Sequence, residues 1–314
     1  MKTPKRESAF NPFLAWLTLP CLLLAAGGRP GAAASVTVSS PVVYQGELFE
    51  LRVSGIELIE LKARLGNDSM IFQPEGNRVY VALGGADLEA KPGPARLVIV
   101  GKTSSGAELR HERNLEIKSR EFPREELSVP GVFDQLTEAT LQRIRRERER
   151  LERVFMTPVQ QRLWDGPFMP PVTGVVTAPF GYRRIVNGIP RAPHGGADLR
   201  APLGTPVLAP NHGRVRLLDE FFFSGKSLVL DHGAGLFTMY FHLADFNVHD
   251  GAIVRKGDII ARSGMSGRVT GPHLHWGARL NGARIDPFQL IEKLGPVHRP
   301  LPEAAVAPDL MEAR

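Results

Sequence analysis

The stretch GPHLHW, residues 271–276, sets two histidines one residue apart behind a Gly-Pro turn and in front of a tryptophan. Side chains at i and i+2 of a β-strand leave the same face, so a strand here carries His273 and His275 to a common point while Leu274 and Trp276 turn to the opposite side. Two converging imidazoles suit a metal site or acid-base work, whereas the bland alternative is a solvated strand face. The surrounding chain has to decide between them.

Seven of the nine histidines (194, 212, 232, 242, 249, 273 and 275) fall within residues 170–293. The window PHGGADLRAP holds His194 and Asp198 four residues apart. Gly195 and Gly196 disfavour a helix there, but in a strand or loop the pair can still face one way. With the histidine pair, such a segment can supply the two imidazoles and one carboxylate of an open zinc site. The single cysteine, Cys21, lies in the leader described below, which removes disulfides, a cysteine nucleophile and cysteine-ligated zinc from residues 35–314. The segment HERNL starts like an HExxH helix, yet Leu115 stands where the second histidine belongs, and it reads as a strand edge.

The chain has 314 residues, 43% of them hydrophobic and 7% aromatic, enough for two ordinary globular units. Lys2, Lys5 and Arg6 precede an apolar run over residues 13–26, and alanines at 32–34 offer a cleavage site. Residues 1–34 are therefore expected to be an export signal, with the periplasm as destination and an uncleaved membrane anchor as the alternative. The net charge of +6 falls to +3 for residues 35–314, because Lys2, Lys5, Arg6 and Arg29 stand against Glu7 alone. That is too small and too evenly spread to imply nucleic-acid binding.

Short Val-, Leu- and Ile-rich runs separated by turn residues over 35–125 predict a small Ig-like β-sandwich. Residues 126–169 predict a helical connector, with Leu136, Leu141, Ile144, Leu151 and Val154 as a partial apolar stripe and its arginines interleaved with glutamates as a solvated face. A second unit follows over 170–293, and the Pro- and Ala-rich residues 294–314 read as a tail. The fold class expected is mainly β: a sandwich, a helical connector and a C-terminal antiparallel sheet with a groove. His232 in LDHGAGLF sits near a turn with a structural reading, and His212, His249 and His298 read as exposed loop residues.

HGGAD at 194–198, YFHL at 240–243 and HLHW at 273–276, in this order and with this spacing, resemble zinc peptidases of the M23 family, the lysostaphin and LytM type. The likeness covers roughly residues 174–290, including FGYR at 180–183 and GDIIARSGMSGRVTGPHLHW at 257–276. What it implies is hydrolysis of peptide bonds in bacterial peptidoglycan by a single zinc ion held by His194, Asp198 and His275. His242 and His273 would be the unligated catalytic imidazoles. Which of His273 and His275 binds metal follows from the resemblance and not from spacing. Tyr182, Arg183 and Tyr240 are candidate groove residues for substrate. The cross-link expected is D-Ala to meso-diaminopimelate. The contrasting class is a non-catalytic LytM-type regulator that activates cell-wall amidases, which would show a depleted ligand set, and a regulatory partner is open. VLAPNHGRVRLLDE and GAIVRKGDIIARSG also resemble the hairpins of biotinyl or lipoyl carriers, but no lysine occupies a hairpin tip in that context.

Overall fold

Alternation builds the N-terminal unit. Leu48–Ser54 turns Phe49, Leu51 and Val53 inward, and Glu108–Lys118 buries Leu109, Leu115 and Ile117 between outward-facing charges. His111 shares that inward face, in the strand interior and not at an edge as the sequence reading had it. The computed structural model describes residues 17–20, 34–127, 136–186 and 188–294. Within it, two five-stranded sheets face each other across one apolar core that includes Val36, Leu51, Val53, Leu97, Ile99 and Leu115. One sheet runs Leu17–Pro20, Ser35–Val38, Leu48–Ser54, Val79–Gly85, Gln73–Pro74; the other runs Val42–Tyr44, Glu108–Lys118, Gly93–Lys102, Glu60–Leu65, Asp68–Met70. Leu17–Pro20 lies within the segment read as an export signal, most of which, with Cys21, is outside the described residues.

The helix Glu138–Phe155 begins where the Thr137 side chain accepts the Thr140 backbone N–H, an N-cap that satisfies one of the unpaired first-turn donors. It lies on the large C-terminal sheet through Phe155, whose ring meets Phe237 edge-on at 5.2 Å, and through Leu151 and Val154. Glu147 pairs with Arg143 within the helix at 2.6 Å, as the charge pattern predicts, whereas Glu152 reaches Arg279 of the C-terminal sheet at 3.2 Å.

The C-terminal unit is a ten-stranded sheet whose main path is Val176–Ala178, Gly196–Arg200, His273–Leu280, Leu236–Phe246, Gly225–Gly233, Gly213–Phe221, Ile253–Val254. Neighbours along this path are antiparallel. Leu199, Leu228, Leu230, Tyr240, Leu274 and Trp276 fill one face completely. Register then fixes the other: Asp198 pairs with His275, Arg200 with His273, and Phe241 with His275.

The two units are tightly joined. Arg284 bridges Asp87 at 2.6 Å and Glu89 at 2.8 Å, Arg120 meets Asp286 at 3.1 Å, and the Lys293 ammonium donates to the Leu48 carbonyl at 2.9 Å. Arg124–Leu127, leaving the sandwich, runs parallel to Arg183–Val186. Among the described residues no helix is long and apolar enough to cross a membrane.

Candidate metal centre

Three side chains converge above the sheet. His194 Nε2, Asp198 Oδ1 and His275 Nδ1 form a nearly equilateral triangle with sides of 2.9, 2.9 and 3.0 Å. A tetrahedral zinc with bonds of about 2.0–2.1 Å has a ligand-to-ligand edge of roughly 3.3 Å, so the donor set fits this ion after a few tenths of an ångström of expansion. The ligand number also fits: two imidazoles and one carboxylate leave the fourth position open. The group remains reachable, with side-chain exposures of 19% for His194, 17% for Asp198 and 12% for His275.

Backbone carbonyls fix three of the rings. A carbonyl only accepts, so each ring nitrogen facing one must carry the proton. His194 Nδ1 donates to Pro179 O at 3.0 Å, His273 Nδ1 to Gly271 O at 2.9 Å and His242 Nδ1 to Ser266 O at 2.9 Å. In neutral rings this leaves the Nε2 lone pair available at all three, the outer-sphere arrangement that orients metal ligands and proton acceptors. His275 is mounted the other way, by Nδ1. Its Nε2 edge lies over Gly196, where an added Cβ would stand 2.6 Å from Nε2 and 2.5 Å from the Trp276 carbonyl. Gly196 is thus the space that lets the ring turn inward.

Burial opposes ionisation of Asp198, but the adjoining His194 and His275 rings outweigh it and hold the carboxyl well below the usual carboxylate range. Burial also pushes His275 below the ordinary histidine value, with the Asp198 carboxylate opposing. His242 is driven down to about 4, first by burial, against the Ser266 carbonyl bond that favours its charged form.

The second imidazole pair arises from a break in alternation. Tyr240 opposes Trp276 and is fully buried, its hydroxyl 2.7 Å from Thr238 Oγ1. Phe241 lies on the other face and stacks on His275 at 5.1 Å. Strict alternation would send His242 into the core beside Tyr240. Instead its backbone is left-handed, φ 61°, at a register irregularity between Lys226 and Leu228 on the neighbouring strand, and the ring comes up to 4.9 Å from His273.

The sequence-predicted residues therefore separate. His194, Asp198, His242, His273 and His275 come together. Tyr240 does not join them: it belongs to the core, because only residues on the Phe241 face reach the His/Asp triad. Tyr182 is half-buried and holds His194 by its backbone, its carbonyl accepting the His194 N–H at 3.0 Å. The Arg183 guanidinium lies 5.7 Å over the Phe122 ring, against the segment that leaves the sandwich.

His232 is fully buried, with Nδ1 donating to His212 O at 2.7 Å and Nε2 2.7 Å from Thr238 Oγ1. His212 is half-buried and not an exposed loop residue, because its Nδ1 accepts from Lys256 N at 3.1 Å. His249 is exposed, and His298 lies outside the described residues. Ser266, Gly196 and Phe241 were not singled out from sequence. The only signal for Ser266 was its place in the glycine-rich SGMSG loop.

An antiparallel sheet carrying this His/Asp triad with two further imidazoles defines a metallopeptidase-like domain. Residues 192–287 match the description Peptidase family M23, and the chain carries a domain of that family. Among curated relatives, the DD-carboxypeptidase/endopeptidase Mpg of Neisseria meningitidis serogroup B is 38% identical over 115 residues, covering 37% of this chain and 26% of that protein. The peptidoglycan DD-endopeptidase ShyA of Vibrio cholerae is 37% identical over 112 residues, 35% of this chain and 26% of that protein. The chain thus aligns with about a quarter of the length of each of these two relatives. A solved structure assigned to peptidase M23 from Pseudomonas aeruginosa has 29% identity and a TM-score of 0.60, covering 80% of this chain and 95% of that one. Coverage that broad extends beyond the metal-centre domain into the sandwich.

Proposed function

We propose that this chain is a zinc-dependent endopeptidase that hydrolyses peptide cross-links of bacterial peptidoglycan. The bond cut is D-Ala to meso-diaminopimelate, and the protein acts in the periplasm after export by its N-terminal signal. The observation that carries the reading is the 2.9–3.0 Å convergence of His194 Nε2, Asp198 Oδ1 and His275 Nδ1 beside two imidazoles with carbonyl-fixed tautomers. Bound by those three atoms, a single zinc supplies Lewis acidity, polarising the scissile carbonyl and lowering the pKa of its water to about 7.

The protein supplies proton handling. His273 Nε2 lies 3.8 Å from Asp198 Oδ1, and the His273 and His242 rings lie 4.9 Å apart, so both border the space where substrate enters. Each Nδ1–H is tied to a carbonyl, so each Nε2 is free to take the proton of the attacking water or, once protonated, to donate to the tetrahedral oxyanion. The two rings share these duties. His242 stays neutral at working pH because burial holds it down to about 4, and it enters the reaction as an acceptor. Peptidoglycan is the partner, recognised as a peptide in an open groove.

The test is mass spectrometry of purified sacculi after digestion by the protein, with and without chelator, alongside His275→Ala. Loss of cross-linked dimers, abolished by both controls, is the expected outcome, and fragment masses identify the bond. Zinc-loaded protein that leaves the dimers intact would replace this reading with the regulator that activates amidases. The complete donor set argues against that regulator.

A further inference from the structure

The sandwich presses on the turn that aims the first metal ligand. Leu88, from the loop after Val79–Gly85, and Phe122, from the segment leaving the sandwich, form an apolar cluster with Phe180 of the C-terminal unit, all of it buried. The Phe122 and Phe180 rings meet edge-on at 6.1 Å. Phe122 also covers Gly181, whose φ is 78° and where any Cβ would fall 2.0 Å from the ring. Phe180 in turn covers Gly46 of the sandwich, where a Cβ would fall 2.4 Å from its ring. Neither glycine can be enlarged without displacing the ring that covers it.

This cluster sits directly behind His194. The turn at Pro179–Tyr182 makes three bonds to that histidine: Gly181 N to His194 O at 2.8 Å, His194 N to Tyr182 O at 3.0 Å, and His194 Nδ1 to Pro179 O at 3.0 Å. The turn is pinned from the sandwich side, because Arg183 N donates to Pro123 O at 2.9 Å and Arg183–Val186 pairs with Arg124–Leu127. On the far side of His194, the nearest atom to a Cβ built at Gly195 would be Arg284 Cδ at 4.0 Å, and Asp87 and Glu89 of the same sandwich loop hold that arginine at 2.6 and 2.8 Å. The sandwich therefore bears on the His194 segment directly through the turn before the ligand and indirectly, through Arg284, beyond it.

We infer that the N-terminal sandwich is a positioning part of the metal centre: Leu88 and Phe122, packed on Phe180 and Gly181, hold the turn that fixes the ring and tautomer of His194. The inference rests on reading His194 as a zinc ligand. It gives the sandwich a role other than covering the groove, since these contacts lie behind the ligand. Leu88 and Phe122 act through His194 and touch no reacting atom.

The full chain is titrated with Zn2+ against a chromophoric chelator, and thermal melts are recorded with and without metal. Phe122→Ala and Leu88→Ala are each expected to weaken zinc by about tenfold, the lower end of the effect of outer-sphere partners on metal affinity. Phe122→Leu, which keeps most of the apolar volume, is expected to restore it to within about threefold of the unaltered chain. Lys293→Gln, which removes an interdomain contact outside this cluster, is expected to lower the melting temperature and leave zinc affinity unchanged. Should Phe122→Ala not melt cooperatively, Leu88→Ala and Phe122→Leu decide. Unchanged affinity in folded cluster variants, or an equal loss in Lys293→Gln, would overturn the inference while leaving the metal reading intact. An unaltered chain that binds no zinc would remove both.

Discussion

The sandwich and the C-terminal sheet are built from the same alternation, yet they bury different things. The sandwich core is almost wholly aliphatic, with Thr37, Gln45, Thr103 and His111 as its few buried polar residues. Beyond residue 200, Asn211, Ser227, Asp231, His232, Thr238, Ser263, Asp286 and Gln289 are all buried. A buried polar group costs free energy unless it is bonded, so such a concentration has to serve a purpose. His232, Thr238 and Tyr240 form a bonded row in the interior, and Asp231 receives Arg216 together with the backbone N–H groups of Val159 and Gly233. Ser263 ties Thr205 N to Pro202 O. The sandwich spends its interior on cohesion; the C-terminal sheet uses part of its interior to tie loops and neighbouring segments to the strands.

If this contrast is right, substitutions in the C-terminal sheet should separate function from stability, in descending size of effect. The largest comes from His275→Ala or Asp198→Ala, which should abolish stoichiometric zinc by elemental analysis and dimer cleavage with it. Removing zinc from the unaltered chain with a chelator should do the same, reversibly. Next, His242→Ala and His273→Ala should each reduce turnover by about 10²–10⁴-fold with zinc retained, the range for loss of a positioned acid or base. Full activity in either would break the assignment.

A smaller effect is set by pH. Burial holds His232 down to about 4 in the folded chain, whereas the unfolded chain titrates near 6.5. As pH falls through that window the unfolded state takes up the proton first. The contribution of His232 is therefore complete above about pH 6.5 and is lost progressively toward pH 4, on the order of 3 kcal/mol at the limit. Denaturant midpoints of metal-free protein, compared with His232→Gln, should show the difference between the two curves shrinking on acidification. A constant difference would deny the histidine this part. The smallest change is Tyr240→Phe, expected to cost about 1 kcal/mol of stability through the lost Thr238 contact and to leave KM unaltered. A raised KM would return Tyr240 to the groove.

The legibility of the molecule follows from the same contrast. The β character and the convergence of His273 and His275 were readable because that strand alternates regularly, with Leu274 and Trp276 fully buried between and beyond them. The helix was readable from its partial apolar stripe, although only Phe155 of it is buried. Tyr240 was misplaced because reading it beside His242 assumes continuous alternation, and the left-handed residue at 242 interrupts it. A bulge depends on the neighbouring strand's register, which no local pattern contains. Ser266 escaped notice for a related reason, since it fixes His242 by its carbonyl, and a carbonyl has no side-chain signature. The inward mounting of His275 by Nδ1 depends on space above Gly196, a tertiary property that reads in sequence only as one glycine of a pair.

That glycine has a practical consequence. A saturation library at position 196 should return glycine alone among active clones, whereas at Gly195, where an added Cβ meets nothing nearer than 4.0 Å, small side chains should survive. The two adjacent codons would then form an internal calibration for any activity screen of this protein, one reporting the selection's stringency and the other its tolerance.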